Sequence, residues 1–241
     1  QPLYFCYSLK MIYPSCYKIY LYYNLYVRHK GFLTRERYSQ WGEDQFIAQH
    51  FKDKEKGIYL DIGCFNPFMY SNTCLLHKKG WTGINVDINP TSIDLFNIAR
   101  PNDFNICTAI NNEKKSFEVY FDDPFSPLNT LNSKFYNNLG KSFSENNKNI
   151  TVESKSIDEV INLSGIKKNI DFVNIDVEGS DYKTLTQINI NKLKPKLISI
   201  ETHNVDGSES DYFHKINEYL IKNEYNILKR VGPTTLYNRQ N

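Results

Sequence analysis

Tyr59-Leu60-Asp61-Ile62-Gly63-Cys64, answered one short helix later by Gly83-Ile84-Asn85-Val86-Asp87, is the stretch that decides the fold. Each half is an apolar run that stops at an acidic residue, and an open α/β sheet binds nucleoside ligands at such strand ends. A carboxylate at the tip of the second strand is suited to take both ribose hydroxyls, so Asp87 points to an adenosine-bearing ligand. A dinucleotide site needs G-x-G-x-x-G so that backbone can approach a pyrophosphate. Here only Gly63 is present, and Cys64, Phe65, Asn66 and Pro67 fill the later positions. S-adenosylmethionine carries no phosphate, so one glycine suffices, with Asp61 as the candidate to face its cationic amino and sulfonium end. The plain structural readings are a helix cap for Asp61 and a turn former before Asn89-Pro90 for Asp87.

Outward from this pair, strand and helix patterns alternate. Helices are expected at Tyr38 to Phe51, Asn72 to Lys79, Thr91 to Ala99, Ser156 to Ser164, Tyr182 to Ile188 and Tyr212 to Lys222. Strands are expected at Phe104 to Ile110, Phe117 to Phe121, Asp171 to Ile175, Lys196 to Ile200, Tyr225 to Arg230 and Thr234 to Tyr237. The alternation implies a mainly parallel sheet with helices on both faces. Asp122 to Ile150 lacks periodicity and reads as a long loop or lid. Its aromatic residues and those beside it (Phe121, Phe125, Phe135, Tyr136) suit either sugar stacking or lid packing.

Composition sets the outer bounds. A 241-residue chain that is 40% hydrophobic can bury one sizeable core, and a net charge of +2 with no basic run argues against a nucleic-acid partner. Five cysteines without CxxC spacing read as free thiols of a reducing compartment. Residues 1–37 form a tyrosine-crowded extension ahead of the 38–241 domain. Lys10 and Lys18 interrupt it as a membrane span, which leaves a helix packed on the domain or on a second copy in a homodimer, or a peripheral membrane contact.

The ordered set Ser39-Gln40-Trp41-Gly42-Glu43-Asp44, Asp61-Ile62-Gly63, Ser71-Asn72-Thr73, Gly80 to Asp87, Arg100-Pro101, Asp171 to Asp181 and Ile200-Glu201 resembles the FkbM family of S-adenosylmethionine-dependent methyltransferases. The resemblance runs from about Tyr38 to the C-terminus. It departs at Cys64, where a small residue is common, and at Asp87, where Glu is frequent. It implies a class I methyltransferase fold, a seven-stranded sheet with an antiparallel last strand, and O-methylation of sugars or other hydroxylated products.

Methyl transfer to a hydroxyl requires alignment of the acceptor oxygen and removal of its proton. Asp176 and Glu178 end one strand, and Glu201 and His203 end the next. In one mechanism His203 is the general base, oriented by Glu178 or Glu201. In the other, Asp176, Glu178, Glu201 and His203 supply ligands to Mg²⁺ or Mn²⁺, which would acidify vicinal hydroxyls. Against these stand plainer roles, Glu178 as a helix cap and His203 as a loop residue. Ser71 and Asn72 are candidates for an N-cap that also touches the cofactor, and Glu43 for its amino group or a solvated helix face. The expected activity is methylation of a sugar hydroxyl on a glycan or polysaccharide precursor. The competing readings are a nicotinamide-dependent sugar oxidoreductase and a non-catalytic adenosyl-binding module of a glycan-assembly protein. An intracellular methyl donor places the work in the cytoplasm, at its furthest on the inner face of a membrane.

Overall fold

The computed structural model describes residues 9–121, 123–138, 150–204 and 206–240. Pro14–Tyr23 forms α1, followed after a loop by α2 (Glu43–His50). The first half of the sheet is β1 (Ile58–Ile62), α3 (Cys74–Lys78), β2 (Thr82–Asp87), α4 (Pro90–Ala99) and β3 (Phe104–Cys107). A small insertion contributes β4 (Ala109–Ile110), β5 (Ser116–Val119), α5 (Ser133–Asn138) and β6 (Ile150–Lys155). The second half is α6 (Ile157–Ser164), β7 (Phe172–Ile175), α7 (Asp181–Gln187), α8 (Ile190–Leu193), β8 (Leu197–Glu201), α9 (Phe213–Lys222), β9 (Tyr225–Val231) and β10 (Thr234–Arg239).

Seven strands lie in the order β3-β2-β1-β7-β8-β10-β9, all parallel except β10, which runs antiparallel to both neighbours. This is the class I methyltransferase sheet that the resemblance implies. Its central strands are buried on both faces, which is why they read as continuous apolar runs rather than alternating ones. Leu60, Ile84, Val173 and Ile198 pack with α6, α7 and α9 on one face. Tyr59, Phe172 and Leu197 pack with Ile47 of α2, Leu76 of α3 and Trp81 on the other. The order reverses beside β1: the chain leaves β1 toward β2 on one side, and β7 lies on the other. At such a switch point the loops after the strands part and leave a crevice.

Local signals explain the boundaries. Asn89 caps α4 by accepting from the Thr91 N–H at 3.0 Å, with Pro90 in the first turn. Ser156 and Glu159 form a reciprocal capping box, and Gly165 closes α6 in the left-handed conformation.

Two expectations are corrected. The run Phe104 to Ile110 is two strands in two sheets, because Thr108 leaves the ladder: its N–H donates to the Asp87 carbonyl and its hydroxyl to the Glu153 carbonyl. The segment Asp122 to Ile150 is not all loop, since it contains α5 and the start of β6, whose Val152 and Ser154 point inward; residues 122 and 139–149 lie outside the description. Of the two roles open to the aromatics Phe121, Phe125, Phe135 and Tyr136, sugar stacking and packing, the described contacts are those of packing. Phe121 is buried with Val119 and Val152, Phe125 meets the edge of Tyr20, and Tyr136 lies against Tyr120; the Phe135 side chain lies outside the described set. Cys16, Cys64, Cys74 and Cys107 are free thiols, and Cys6 falls outside the described residues.

Candidate active site

The crevice beside β1 is a cavity whose empty space, counted with its open mouth, is about 910 Å³. Gly63 forms its floor, with φ +81° and the Asp176 carbonyl oxygen occupying the place of a Cβ. Asp87, at the end of β2, accepts from the Phe65 N–H at 2.8 Å and from the Asn89 N–H at 2.7 Å and lines the cavity. Burial, partly offset by those two N–H donors, pushes its carboxyl up to about 6. Phe65 and Tyr70 stack at the wall, with ring centroids 6.3 Å apart and planes at 18°. Both adopt left-handed backbone (φ 51° and 56°), a conformation that costs bulky residues energy and often marks a built site. Nothing in the sequence pattern singles out this pair. On the far side Ser126, Pro127, Asn129 and Leu131 complete the enclosure, so the segment before α5 does cover the site.

Asp61 is placed differently from its expected role. It is 1% exposed and is absent from the cavity lining among the described residues. Its oxygens accept from the Thr73 hydroxyl at 2.7 Å and the Asn174 amide at 2.9 Å. Strand alternation is the reason: Asp61 points to the α2 and α3 side, while Ile62 and Gly63 reach the crevice. Ser71 and Asn72 belong to the same buried network and not to a helix cap. Arg100, fully buried, donates to the Ser71 hydroxyl (3.0 Å), the Thr73 hydroxyl (2.8 Å) and the Pro67 carbonyl (2.5 Å), and Asn72 donates to Asn174 (2.9 Å). The α3 N-cap is Thr73, whose side chain makes no capping bond. This network ties the loop after β1 to β7 from beneath the cavity.

Acidic groups converge at the ends of β7 and β8. Asp176 and Glu178 line the cavity, and ligand atoms of Asp176, Asp181 and Glu201 lie within 4.8 Å of one another. Asp181, which the sequence does not single out as a site residue, accepts from the Val177 N–H (3.1 Å) and the Gly179 N–H (3.2 Å) and so shapes the turn. Glu178 itself has φ 49°, and the carbonyls of Glu178 and Gly179 accept from Thr130 and Asn132. Glu43 is buried at the start of α2, accepts from the Trp41 N–H at 2.9 Å, and adds its charge to the field on Glu201. His203 is not among the cavity-lining residues. Its Nδ1 lies 2.8 Å from the Thr202 hydroxyl and its ring rests on Phe213, so it stands on the outer side of the β8 end.

Burial raises the carboxyls of Asp176, Glu178, Asp181 and Glu201. Like charges add to it for Asp176 (Glu201 and Glu178), for Glu178 (Asp181), which reaches about 7, and for Glu201 (Asp181, Glu178 and Glu43), which reaches about 9. Each group binds its proton more tightly folded than unfolded. Their stabilising contribution is therefore complete below about pH 4 and is lost as pH rises through the raised values toward 9. Glu201→Gln puts a neutral amide where the fold favours the protonated acid, and so removes the cost of taking up a proton on folding at pH 8. It is expected to raise Tm at pH 8 by about 3–6 °C and to flatten the fall of Tm between pH 6 and about 9, a melt series in each buffer being the check. A fall in Tm at pH 8 would show that the Glu201 charge is compensated.

The family model described as the methyltransferase FkbM domain matches residues 57–227. The chain belongs to the FkbM methyltransferase family. Compared with curated proteins, it finds no match. The matched span begins just before β1 and reaches into β9, so it contains Gly63, Asp87 and the carboxylate cluster. S-adenosylmethionine is the methyl donor general to the family, and the cavity suits it. Among the described residues no Lys, Arg or His lines the cavity, which favours a cationic ligand over a pyrophosphate. Asp87 lines the cavity at the end of β2, where the sequence leads one to expect a carboxylate for the donor's ribose. Asp87→Ala is expected to raise the Kd for S-adenosylmethionine about 30- to 100-fold by calorimetry, the loss of hydrogen bonds to a charged acceptor. An unchanged Kd would place the ribose elsewhere.

Proposed function

We propose that this FkbM methyltransferase is an S-adenosylmethionine-dependent O-methyltransferase of a sugar hydroxyl on a glycan or polysaccharide precursor. The observation that carries the reading is the group of carboxylates beside a cavity without cationic lining. Glu178 presents a half-buried carboxylate whose affinity for a proton is raised to about 7, the property that a base for a weakly acidic hydroxyl needs near neutral pH. Glu178 therefore takes the role of general base in place of His203. Asp176, which lines the cavity with Glu178, is placed to hydrogen-bond a neighbouring hydroxyl, and the Phe65 and Tyr70 rings offer an apolar face for a pyranose. When bound, the donor supplies an electrophilic methyl group; the residues described here orient the acceptor and carry away its proton.

The metal-assisted reading rests on a set that differs from the one expected from sequence. Asp176, Asp181 and Glu201 come together, and neither Glu178 nor His203 is part of that set. Hard oxygen ligands of this kind fit Mg²⁺ or Mn²⁺.

One titration separates the readings. S-adenosylmethionine and NAD(P)⁺ are added to the protein by calorimetry, then labelled methyl transfer is followed on a panel of sugars and glycans with and without chelator. Binding of S-adenosylmethionine alone, with transfer to a sugar oxygen that survives chelation, is the expected result. Transfer abolished by chelator and restored by Mg²⁺ would establish metal assistance. Binding of the nicotinamide alone, or binding with no transfer to any hydroxylated acceptor, would overturn the proposal.

A further inference from the structure

Helix α1 and the short turns after it present two faces. Tyr17, Leu21 and Leu25 are buried against Leu95 of α4, and Tyr26 meets the edge of Phe68. The opposite face leaves Ile12, Ile19, Tyr22, Tyr23 and Val27 in solvent, with Ile19 68% and Val27 55% exposed. An exposed apolar stripe of this kind marks an interaction surface. Its charges say what it binds. Residues 9–35 contain Lys10, Lys18, Arg28, Lys30 and Arg35 and no Asp or Glu. Lys10 is paired with Asp94 at 2.5 Å, while Lys18, Arg28, Lys30 and Arg35 are exposed around the stripe.

We propose that this face lies on an anionic lipid surface. Tyrosine side chains favour the interfacial layer, where the ring is apolar and the hydroxyl stays wet, and lysine and arginine beside them meet acidic headgroups. No described helix is long and apolar enough to cross a membrane, so the contact is one of lying on the bilayer and not of spanning it. A second copy of the chain fits less well. A two-fold pairing would set Lys18 and its basic neighbours against their own images, with no carboxylate in the segment to offset them.

The test is flotation of the full chain with phosphatidylcholine vesicles that either contain or lack phosphatidylglycerol. Binding only to the acidic vesicles is expected. Replacing both Lys18 and Lys30 by Gln should weaken it about 25-fold, since each basic residue near the surface contributes a factor of about five. Ile19→Asp with Tyr23→Asp should abolish flotation and leave the melting curve unchanged, because both side chains are exposed. No flotation on acidic vesicles, equal flotation on both kinds, or a dimer by light scattering that the Ile19→Asp variant dissolves would each overturn the proposal.

Discussion

Gly63→Ala is expected to lower Tm by more than about 10 °C and to abolish S-adenosylmethionine binding with it. Two costs add at this position. The backbone sits at φ +81°, where an L side chain is strained, and the new Cβ would fall on the Asp176 carbonyl oxygen, far inside the 3.0 Å that real Cβ atoms keep. That oxygen cannot retreat, because the Asp176 N–H donates to Ile62 O at 2.9 Å and β7 is locked to β1 along its length. Separating the two strand ends would break the central pairing of the sheet, at a cost of roughly 4 kcal/mol or more against a total stability of about 5–15 kcal/mol for a domain of ordinary size. Gly165→Ala is the control. Gly165 also has positive φ, at +67°, but nothing lies within 4 Å of its missing Cβ, so only the conformational cost of about 1 kcal/mol applies. If Gly63→Ala melted like Gly165→Ala yet bound no donor, the glycine would serve the ligand's approach and not the sheet.

This glycine also shows where the sequence was informative. One glycine after an apolar run identified the crevice, because strands buried on both faces and a turn without room for side chains leave direct marks in residue type. The strands at 58–62, 82–87, 172–175 and 197–201 follow the expected runs to within a residue or so for the same reason. What one chain read in line does not carry is which way a side chain points once neighbours are added. Asp61 and Asp87 look equivalent, yet one is consumed by Thr73 and Asn174 and the other faces the cavity. Asp181 and the Phe65–Tyr70 stack depend on left-handed residues at non-glycine positions, which residue type does not announce. Strand β6 alternates Ile, Val and Ser with exposed partners, a legible pattern hidden by the polar stretch before it.

Glu178→Gln is expected to lower the rate of methyl transfer about 10²- to 10⁴-fold while leaving the Kd for S-adenosylmethionine within about twofold. Gln keeps the shape and the neighbouring contacts, since the bonds from Thr130 and Asn132 go to backbone carbonyls of the turn and not to the Glu178 side chain. What is lost is the proton acceptor. The sign of the pH dependence follows from the same group: a base works only when deprotonated, so wild-type activity should rise as pH passes upward through about 7 and level off above it. The variant's residual rate should lack that limb. Because Asp181 raises the Glu178 proton affinity by its charge, Asp181→Asn should shift the limb to lower pH, provided that the turn it shapes persists. His203→Ala, outside the cavity lining and packed at a tilt against Phe213, should retain most of the activity. A Glu178→Gln protein with more than about a tenth of wild-type rate would remove the carboxylate from the chemistry. If His203→Ala were instead the inactive variant, the β8 end would have to turn inward on substrate binding to bring the imidazole to the acceptor.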